Sequence, residues 1–343
     1  MSVALTPLLE RLLARENLAQ DEAAGLMRAL ADEHLSPALA GALLVALRAK
    51  GETAEEVRGF ASAMRELARH VELPAGLAAV DVVGTGGDCS GSLNLSTGAS
   101  LLAAACGVPV VKHGNRSVSS RSGSADMLEA LGVPLVGDPA AALACLADCG
   151  FSFLFAPHFH PAMKAVATVR RALGVRTVFN ILGPLTNPAA PAYGLIGAFD
   201  LPTARLMAEA LAGLPIRRCF VVHGAPGWDE ATPCGPFTLF DVRPGVVRRQ
   251  RRDPVRYGIS PCTPAELAGG DAAANARALE AVFSGRDRGP HREALVLGTG
   301  LALELSGRAR GLRRGIRLAR EALDAGAGLA MLERLRRFRD AHP

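Results

Sequence analysis

Apolar residues recur every three or four positions in the first part of the chain and occur in short runs after it. Before about residue 72, this spacing predicts four short amphipathic helices and no strand. Three of these helices are predicted over residues 6–15, 20–31 and 54–67. The chain is therefore expected to begin with a small helical unit.

From Ala79 onward, short β-rich runs are each followed by a glycine-rich turn and then a helical pattern. The runs predict strands over residues 80–83, 109–112, 151–155 and 218–222. Alternation of this kind indicates an α/β sheet domain.

Residues 161–188 interrupt the alternation. They contain a predicted helix that ends at Leu173 before Gly174, and then a segment rich in Gly, Pro and Asn. We expect this insertion to pack against the N-terminal helices and to act as a hinge. The expected domains are a small helical domain over residues 1–72, with part of 161–188, and a large α/β domain over residues 73–343.

Composition excludes several classes of protein. The longest apolar stretches, residues 38–47 and 101–111, are shorter than the roughly 18 residues that span a bilayer, and no secretory leader is recognisable. We therefore expect a cytoplasmic protein with no membrane partner. Its seven cysteines form no C-x-x-C pair, which argues against a disulfide framework or structural zinc.

Charge favours small anionic substrates over nucleic acid. The net charge is +5, but the arginines are scattered and only 4% of residues are aromatic, so few side chains can stack on bases. We therefore expect no nucleic-acid partner. Lys50, Lys112 and Lys164 are the only lysines among 38 basic residues, which favours a need for a compact ammonium at Lys112.

Two loops carry groups suited to phosphate. The first runs from Asp81 through a glycine turn to Asp88 and on to Asn94 and Ser96, either of which can cap the next helix; a plain strand–turn–helix is the alternative. It matches neither G-x-G-x-x-G nor the Walker pattern. The second, residues 112–123, holds one Lys, one His, two Arg, one Asn and four Ser, and its alternative is a solvated basic loop.

Two weaker signals lie elsewhere. Asp229 and Glu230 are adjacent carboxylates that could share magnesium, although such a pair in a turn is more often simply solvated. Arg170 could form a forked hydrogen bond with a substrate carboxylate. His158 and His160 precede the insertion helix, where lining a pocket is favoured over binding a metal.

Taken together, these motifs resemble the anthranilate phosphoribosyltransferases over nearly the whole chain. The matching segments, in the family's order, are residues 84–88, 94–97, 112–132, 153–163 and 176–188 and the pair Asp229-Glu230. The resemblance implies a nucleoside phosphorylase/phosphoribosyltransferase-like fold, with a small N-terminal helical domain and a large α/β domain built on a central mixed, mostly parallel sheet. It also implies a Mg²⁺-dependent homodimer in tryptophan biosynthesis, which transfers the phosphoribosyl group of phosphoribosyl pyrophosphate to the amine of anthranilate.

The resemblance also implies roles for individual residues. Lys112 and Arg170 would be catalytic, Ser96, Asp229 and Glu230 would hold magnesium, and Gly84, Asn115 and Arg170 would contact anthranilate. The phosphoribosyl donor would contact Gly84, Gly87, Asp88, Ser92, Asn94, Leu95, Ser96, Thr97, Lys112, His113, Gly114, Asn115, Arg116, Ser117, Val118, Ser119, Ser120 and Ser124.

Five positions depart from the family's usual residues: Cys89, where glycine is usual, the pair Ser92-Leu93, Gly98 and Trp228. Cys89 adds a Cβ to the phosphate turn and bears on donor affinity. Two other functions share the fold, a pyrimidine nucleoside phosphorylase and a non-catalytic nucleic-acid-binding relative. The Lys112–Arg116 loop and Arg170 argue against the first, and the magnesium and anthranilate positions argue against the second.

Overall fold

Four helices precede the first strand, as the apolar spacing predicted. In the computed structural model, which describes residues 4–117 and 121–342, they are α1 (Leu5–Leu13), α2 (Gln20–Leu30), α3 (Pro37–Lys50) and α4 (Ala54–Glu66). Helix α4 begins after Thr53, whose hydroxyl accepts a hydrogen bond from the Glu56 N–H at 3.3 Å. The buried Glu56 carboxylate also binds Lys50 Nζ at 2.9 Å and the Leu18 N–H at 2.8 Å, which fixes α4 against the segment before α2.

A seven-stranded sheet forms the centre of the molecule, with the order β3-β2-β1-β4-β5-β6-β7. Strands β1 to β5 are parallel, whereas β6 and β7 are antiparallel, which confirms the mixed, mostly parallel sheet. The strands are β1 (Val80–Gly84), β2 (Val110–Gly114), β3 (Phe151–Phe155), β4 (Tyr193–Gly197), β5 (Arg218–His223), β6 (Phe237–Arg243) and β7 (Val246–Arg252).

One hydrophobic core lies where α5 (Leu95–Ala105), α13 (Pro290–Leu305) and α15 (Ala327–Ala341) pack with the sheet. Helices α5 and α13 can approach closely because Gly98 has no side chain. A Cβ at Gly98 would lie 2.6 Å from Leu295 Cδ2, so a larger residue there would force the helices apart. The helices after β1 are α5 (Leu95–Ala105), α6 (Ser124–Ala130), α7 (Pro139–Cys149), α8 (Ala156–Phe159), α9 (Met163–Leu173), α10 (Phe179–Leu182), α11 (Leu201–Leu211), α12 (Ala272–Phe283), α13 (Pro290–Leu305), α14 (Leu312–Asp324) and α15 (Ala327–Ala341).

A second core joins the N-terminal helices to the insertion and to α11. Val166 and Val169 of α9 are buried in it together with side chains of α1 to α4. Helix α9 ends at Gly174, whose φ of +63° is the left-handed conformation that suits glycine. The insertion therefore packs against the N-terminal helices, while the exact domain boundaries and the hinge stay predictions. No helix within the described residues has both the length and the apolar character to cross a membrane.

Candidate active site

The predicted site residues gather where the parallel strands end. From β1 the chain proceeds to β2 and β3 on one side, and then returns to place β4 on the other side of β1. In sheets of this kind, ligands bind in the crevice outside the carboxyl ends of the strands at such a reversal. The turns after β1, β2 and β5 all project into this region.

The turn that carries Asp229 and Glu230 lies directly on the strand ends. A Cβ at Gly84 would lie 2.3 Å from Asp229 Oδ2, one at Gly197 would lie 1.5 Å from the Asp229 carbonyl oxygen, and one at Gly224 would lie 1.8 Å from the Glu230 carbonyl oxygen. Strands β1 and β4 thus end at a glycine and β5 is followed by one, and this turn packs directly over all three glycines. This contact makes Asp229 part of a buried site rather than a solvated turn.

Hydrogen bonds connect the turns that follow β1 and β5. The Gly86 N–H donates to Asp229 Oδ2 at 2.6 Å, and the Asp229 N–H donates to Asp88 Oδ2 at 3.2 Å. Gly86 and Gly87 have φ angles of +66° and +72°, which only glycine adopts without strain. Gly87 also accepts a hydrogen bond from Arg176, whose guanidinium stacks 4.0 Å from the centroid of the Phe199 ring. The glycine turn is therefore held on two sides.

Glu230, Ser96 and Lys112 meet beneath these turns. Glu230 Oε1 accepts the Ser96 N–H at 3.0 Å near the start of α5, and Lys112 Nζ lies 3.4 Å from Ser96 Oγ. The Lys112 ammonium also donates to the Val82 carbonyl, and its side chain is buried. The Lys112 ammonium thus lies near the carboxylates of Asp229 and Glu230, in a site with little solvent.

Negative charge exceeds positive charge in this cluster. Burial, with repulsion from Glu230 and Asp88, raises the pKa of Asp229 well above its usual range. Burial also raises the pKa of Glu230 to about 7, although Lys112 opposes that shift. Burial lowers the pKa of Lys112, against the pull of Asp81 and the two turn carboxylates. A divalent cation would relieve the repulsion between the acids.

The oxygen donors fit magnesium in particular. Carboxylate and hydroxyl oxygens suit Mg²⁺, which usually keeps several waters and shares its other positions with substrate phosphates. Among the described residues, no set of three or more His, Cys, Asp and Glu side chains converges on one point to form a complete protein cage. The donors of Asp229, Glu230 and Ser96 therefore suit an ion that a phosphorylated substrate helps to bind.

Asp81 is a further polar residue at the site, and its motif predicted no role for its carboxylate. It is buried, accepts the Asn187 side-chain N–H at 2.8 Å, and accepts the His113 N–H at 3.3 Å. Burial raises the pKa of Asp81 to about 6, and attraction to Lys112 counteracts the shift. Asp81 thus binds the backbone of β2 at His113, and its carboxylate attracts the Lys112 ammonium. The only sequence signal was its place at the start of the first phosphate motif.

The loop after β2 folds back onto α6. The Asn115 carbonyl accepts hydrogen bonds from the Ala125 N–H and the Ser124 hydroxyl, both at 3.2 Å. Arg116 pairs with Glu129 and with Asp126, at 3.1 Å from Asp126 Oδ1, and the Ser117 N–H donates to Asp126 Oδ2. Arg116 is therefore held by carboxylates of α6. Val118, Ser119 and Ser120 lie outside the described residues.

Residues at the start of α5 differ in where their side chains point. Asn94 is the N-cap residue, but its side chain does not cap the helix; it donates to the Ser122 carbonyl at 3.0 Å and accepts from Asn275 at 2.9 Å. The capping role expected for Asn94 is therefore wrong, because these longer-range partners hold its amide. Leu95 and Thr97 are buried, whereas Ser92 is half-buried and lies 3.2 Å from Ser90 between the hydroxyl oxygens.

A second group of residues lies toward the insertion. The Arg170 guanidinium of α9 lies over the Phe179 ring, 5.2 Å from its centroid. Burial alone lowers the pKa of Arg170. The guanidinium therefore has no carboxylate partner among the described residues. Such a cation can bind an anionic ligand.

Two histidines form a buried neutral pair. The rings of His113 and His160 lie 5.0 Å apart, and neither Nε2 atom has a hydrogen-bond partner within the described chain. Burial lowers the pKa of His113 to about 3 and that of His160 to about 4. His158 is exposed, so only one member of the His-x-His pattern lines the interior.

Cys89 extends the glycine turn with an unfavourable backbone conformation. Its φ is +56°, in the left-handed region that costs a residue with a Cβ about 1–3 kcal/mol. Its side chain is exposed, so burial of the thiol does not compensate for this cost. Trp228, another departure, is buried, and its backbone pairs with Gly224.

Comparisons with known proteins agree with this architecture. The helical bundle domain of a glycosyl transferase family matches residues 6–68, and the a/b domain of a glycosyl transferase family matches residues 76–329. The anthranilate phosphoribosyltransferase of Desulforudis audaxviator (strain MP104C) is 48% identical over 330 residues, which are 96% of this chain and 95% of that protein.

Solved structures show the same similarity. The crystal structure of the anthranilate phosphoribosyltransferase of Thermus thermophilus has a TM-score of 0.90 at 42% identity, and the match covers 98% of this chain and 99% of that one. The enzyme of Saccharomyces cerevisiae in complex with PRPP and Mg has a TM-score of 0.89 at 27% identity, with 99% of both chains covered.

Proposed function

The chain belongs to the anthranilate phosphoribosyltransferase family, and we propose that it holds Mg²⁺ with Ser96, Asp229 and Glu230 at the carboxyl ends of its parallel strands. Its activity is the transfer of the phosphoribosyl group of phosphoribosyl pyrophosphate to the amine of anthranilate, in tryptophan biosynthesis. The products are N-(5-phosphoribosyl)anthranilate and pyrophosphate.

One observation carries the proposal for the metal: two carboxylates with raised pKa values, the buried Asp229 and the half-buried Glu230, lie within reach of the Ser96 hydroxyl and the Lys112 ammonium. The enzyme of Saccharomyces cerevisiae has been solved in complex with PRPP and Mg. When bound here, Mg²⁺ would neutralise the acids and offset the charge that develops on the departing pyrophosphate.

The donor would lie over the glycine turn and the start of α5. In this proposal, backbone N–H groups around Gly84 and Gly87 approach its phosphates, and Asp88 orients a hydroxyl or a metal-bound water. Lys112 contributes a positive charge, because attraction to Asp81 and Glu230 opposes the lowering of its pKa by burial. The other proposed donor contacts are those of residues 92, 94–97, 113–120 and 124.

The acceptor would lie between that turn and α9. Arg170 would bind the carboxylate of anthranilate, because it is a partly buried cation without a carboxylate partner among the described residues. Gly84 and Asn115 would contact the ring from the donor side. With the ring held there, the arylamine attacks the anomeric carbon as pyrophosphate leaves, so the protein supplies positioning and charge but no covalent nucleophile.

We also propose that the protein is a homodimer formed through its N-terminal helices. Leu13 at the end of α1 and Val45 of α3 are large apolar side chains that remain 61% and 44% exposed. Light scattering after size-exclusion chromatography should give twice the chain mass of 35.6 kDa. Charged substitutions at both positions should return the monomer, and a monomeric native protein would contradict the proposal.

The activity is tested by the loss of anthranilate fluorescence on addition of phosphoribosyl pyrophosphate and Mg²⁺. We expect turnover only with both present. Replacing Asp229 by Asn and Glu230 by Gln together should raise the Mg²⁺ concentration needed for half-maximal rate, because the ion loses charged ligands. An unchanged magnesium titration would show that the pair does not bind the metal. Phosphate-dependent nucleoside cleavage, measured beside it, should be absent.

A further inference from the structure

Two cysteines with no role in the proposed reaction lie side by side behind the metal-binding turn. The Sγ atoms of Cys234 and Cys262 are 3.8 Å apart, although the residues are separated by 28 positions in sequence. The Cys262 N–H donates to the Pro233 carbonyl at 3.4 Å, so a main-chain hydrogen bond also joins the two segments. A disulfide has an S–S distance of about 2.05 Å, so the sulfurs need to approach by only about 1.8 Å.

Each cysteine lies in a different segment that borders the proposed active site. Cys234 follows the turn of Asp229 and Glu230, and its N–H donates to Thr232 Oγ1 at 3.2 Å; that hydroxyl donates to the Ala225 carbonyl at 2.7 Å. The loop from residue 224 to residue 234 is therefore closed by its own hydrogen bonds.

Cys262 begins the segment on the other side. That segment reaches Leu267, whose carbonyl accepts the Leu93 N–H at 3.0 Å, and Ala268, which pairs with Ser92. These contacts lie immediately before Asn94 and α5. A covalent link between the two cysteines would thus connect the metal-binding loop to the segment beside the proposed donor site.

We propose that Cys234 and Cys262 form a reversible disulfide that ties the loop of Asp229 and Glu230 to the segment paired with Ser92. The oxidant is a low-molecular-weight disulfide. The Cys234 thiolate attacks it, forms a mixed disulfide and releases one small thiolate. Cys262, after losing its proton, attacks Cys234 Sγ and releases the second, so two protons leave the protein and the small disulfide is reduced to two thiols.

Accessibility together with the short distance between the sulfurs distinguishes this pair. Cys234 and Cys262 are half-buried, so a small oxidant can reach them, and their sulfurs are 3.8 Å apart. Cys89 and Cys106 are also accessible but lie in other segments, whereas Cys145, Cys149 and Cys219 are buried. Cys145 and Cys149 lie one turn apart on α7, and Cys145 Sγ instead donates to the Phe151 carbonyl at 3.2 Å. Burial and the neighbouring thiol raise the pKa of Cys262 to about 12, which makes it the slower, second nucleophile.

The test uses the full chain incubated with oxidised glutathione in mildly alkaline buffer and then alkylated. We expect an intact mass lower by two hydrogen atoms before alkylation. Without reduction, trypsin should yield one product that joins residues 219–248 to residues 257–277. Dithiothreitol should separate the two peptides.

Variants assign the bond. Cys234→Ser and Cys262→Ser should each abolish the linked product, while Cys145→Ser should retain it. Linked product in either of the first two variants, or glutathione adducts without an internal bond in the native chain, would overturn the proposal.

Two further measurements test whether the disulfide restrains the loop of Asp229 and Glu230. Closing a loop of this length should raise the melting temperature by on the order of 5 °C, and dithiothreitol should reverse the rise. Amide hydrogen exchange over residues 224–236 should also become slower in the oxidised protein, with no change in Cys234→Ser treated in the same way. Equal exchange in the oxidised and reduced native chains would refute the link to the metal-binding loop.

Discussion

Replacing Gly84 by Ala tests whether the strand ends set the position of Asp229. Nothing in the local backbone opposes alanine, since Gly84 does not have a positive φ. The added Cβ would lie 2.3 Å from Asp229 Oδ2 and 2.9 Å from Asp229 Cγ. Because Cβ atoms essentially never approach another heavy atom within 3.0 Å, the carboxylate has to retreat by at least about 0.7 Å.

Two effects follow, and their sizes differ. Overpacking of this kind costs about 1–3 kcal/mol of unfolding free energy. A displaced metal ligand should lower kcat/KM by about ten- to a hundredfold, or about 1.4–2.7 kcal/mol, since errors near 1 Å in a catalytic group have effects of that order. The Mg²⁺ concentration for half-maximal rate should rise as well.

Urea unfolding and the anthranilate fluorescence assay measure these effects. Gly183→Ala is the matched control, because a Cβ there has no neighbour within 4 Å and the φ is −47°. The decisive measurement is a double-mutant cycle. The three nearest atoms to the added Cβ all belong to Asp229, so Gly84→Ala should lose most of its stability cost in an Asp229→Ala background. Equal costs in both backgrounds would refute the steric explanation, whatever the activity shows.

Three further predictions follow from the site. Arg170→Ala should raise the KM for anthranilate by about 10- to 100-fold and leave the KM for the donor nearly unchanged, because it removes a charge-assisted hydrogen bond; Arg171→Ala, on the exposed face of the same helix, is the control, and equal effects on both substrates would exclude the role. His113 and His160 should each contribute a fall in stability as pH drops below about 6.5, because their native pKa values of about 3 and about 4 mean that they take up protons first in the unfolded chain, whereas the raised pKa values of Asp81, Asp229 and Glu230 act in the opposite direction. In urea titrations between about pH 6 and pH 4.5, His160→Asn should therefore change the pH slope of stability by about 1.4 kcal/mol per pH unit, and an identical slope would show that His160 is not buried in its neutral form. Cys89→Gly should relieve the left-handed φ of +56° and raise the unfolding free energy by up to about 1 kcal/mol after the entropy cost of glycine, whereas a loss of stability would show that the side chain makes a favourable contact.

The main elements of the fold follow from local patterns. The predicted strand over residues 151–155 matches β3, and the predicted insertion helix ends at Leu173, as in the structure. Strand β4 was missed because Tyr193–Gly197 contains two glycines and no β-branched run. Strand β7 was missed because Val246–Arg252 carries four arginines, and its place as an antiparallel edge strand depends on pairing with β6.

The site was harder to predict, because its key contacts join residues far apart in sequence. Asp229 and Glu230 alone resemble a solvated turn, and only their approach to Gly84 and Gly197 reveals a buried site. Asn94 has the chemistry of a helix cap, yet Asn275, 181 positions away, binds its side chain. Arg116 was recognised as a cation for phosphate, but its pairing with Asp126 and Glu129 requires knowledge of how the loop returns to α6.

The glycines that end β1 and β4 and the glycine that follows β5 have a consequence for protein engineering. Because any side chain at Gly84, Gly197 or Gly224 would meet the Asp229-Glu230 turn, these positions offer no freedom for changing substrate preference. Helix α9 carries Arg170 and packs against α3. A library that aims at new aromatic acceptors should therefore diversify the exposed and half-buried positions around Arg170 and leave the three glycines fixed.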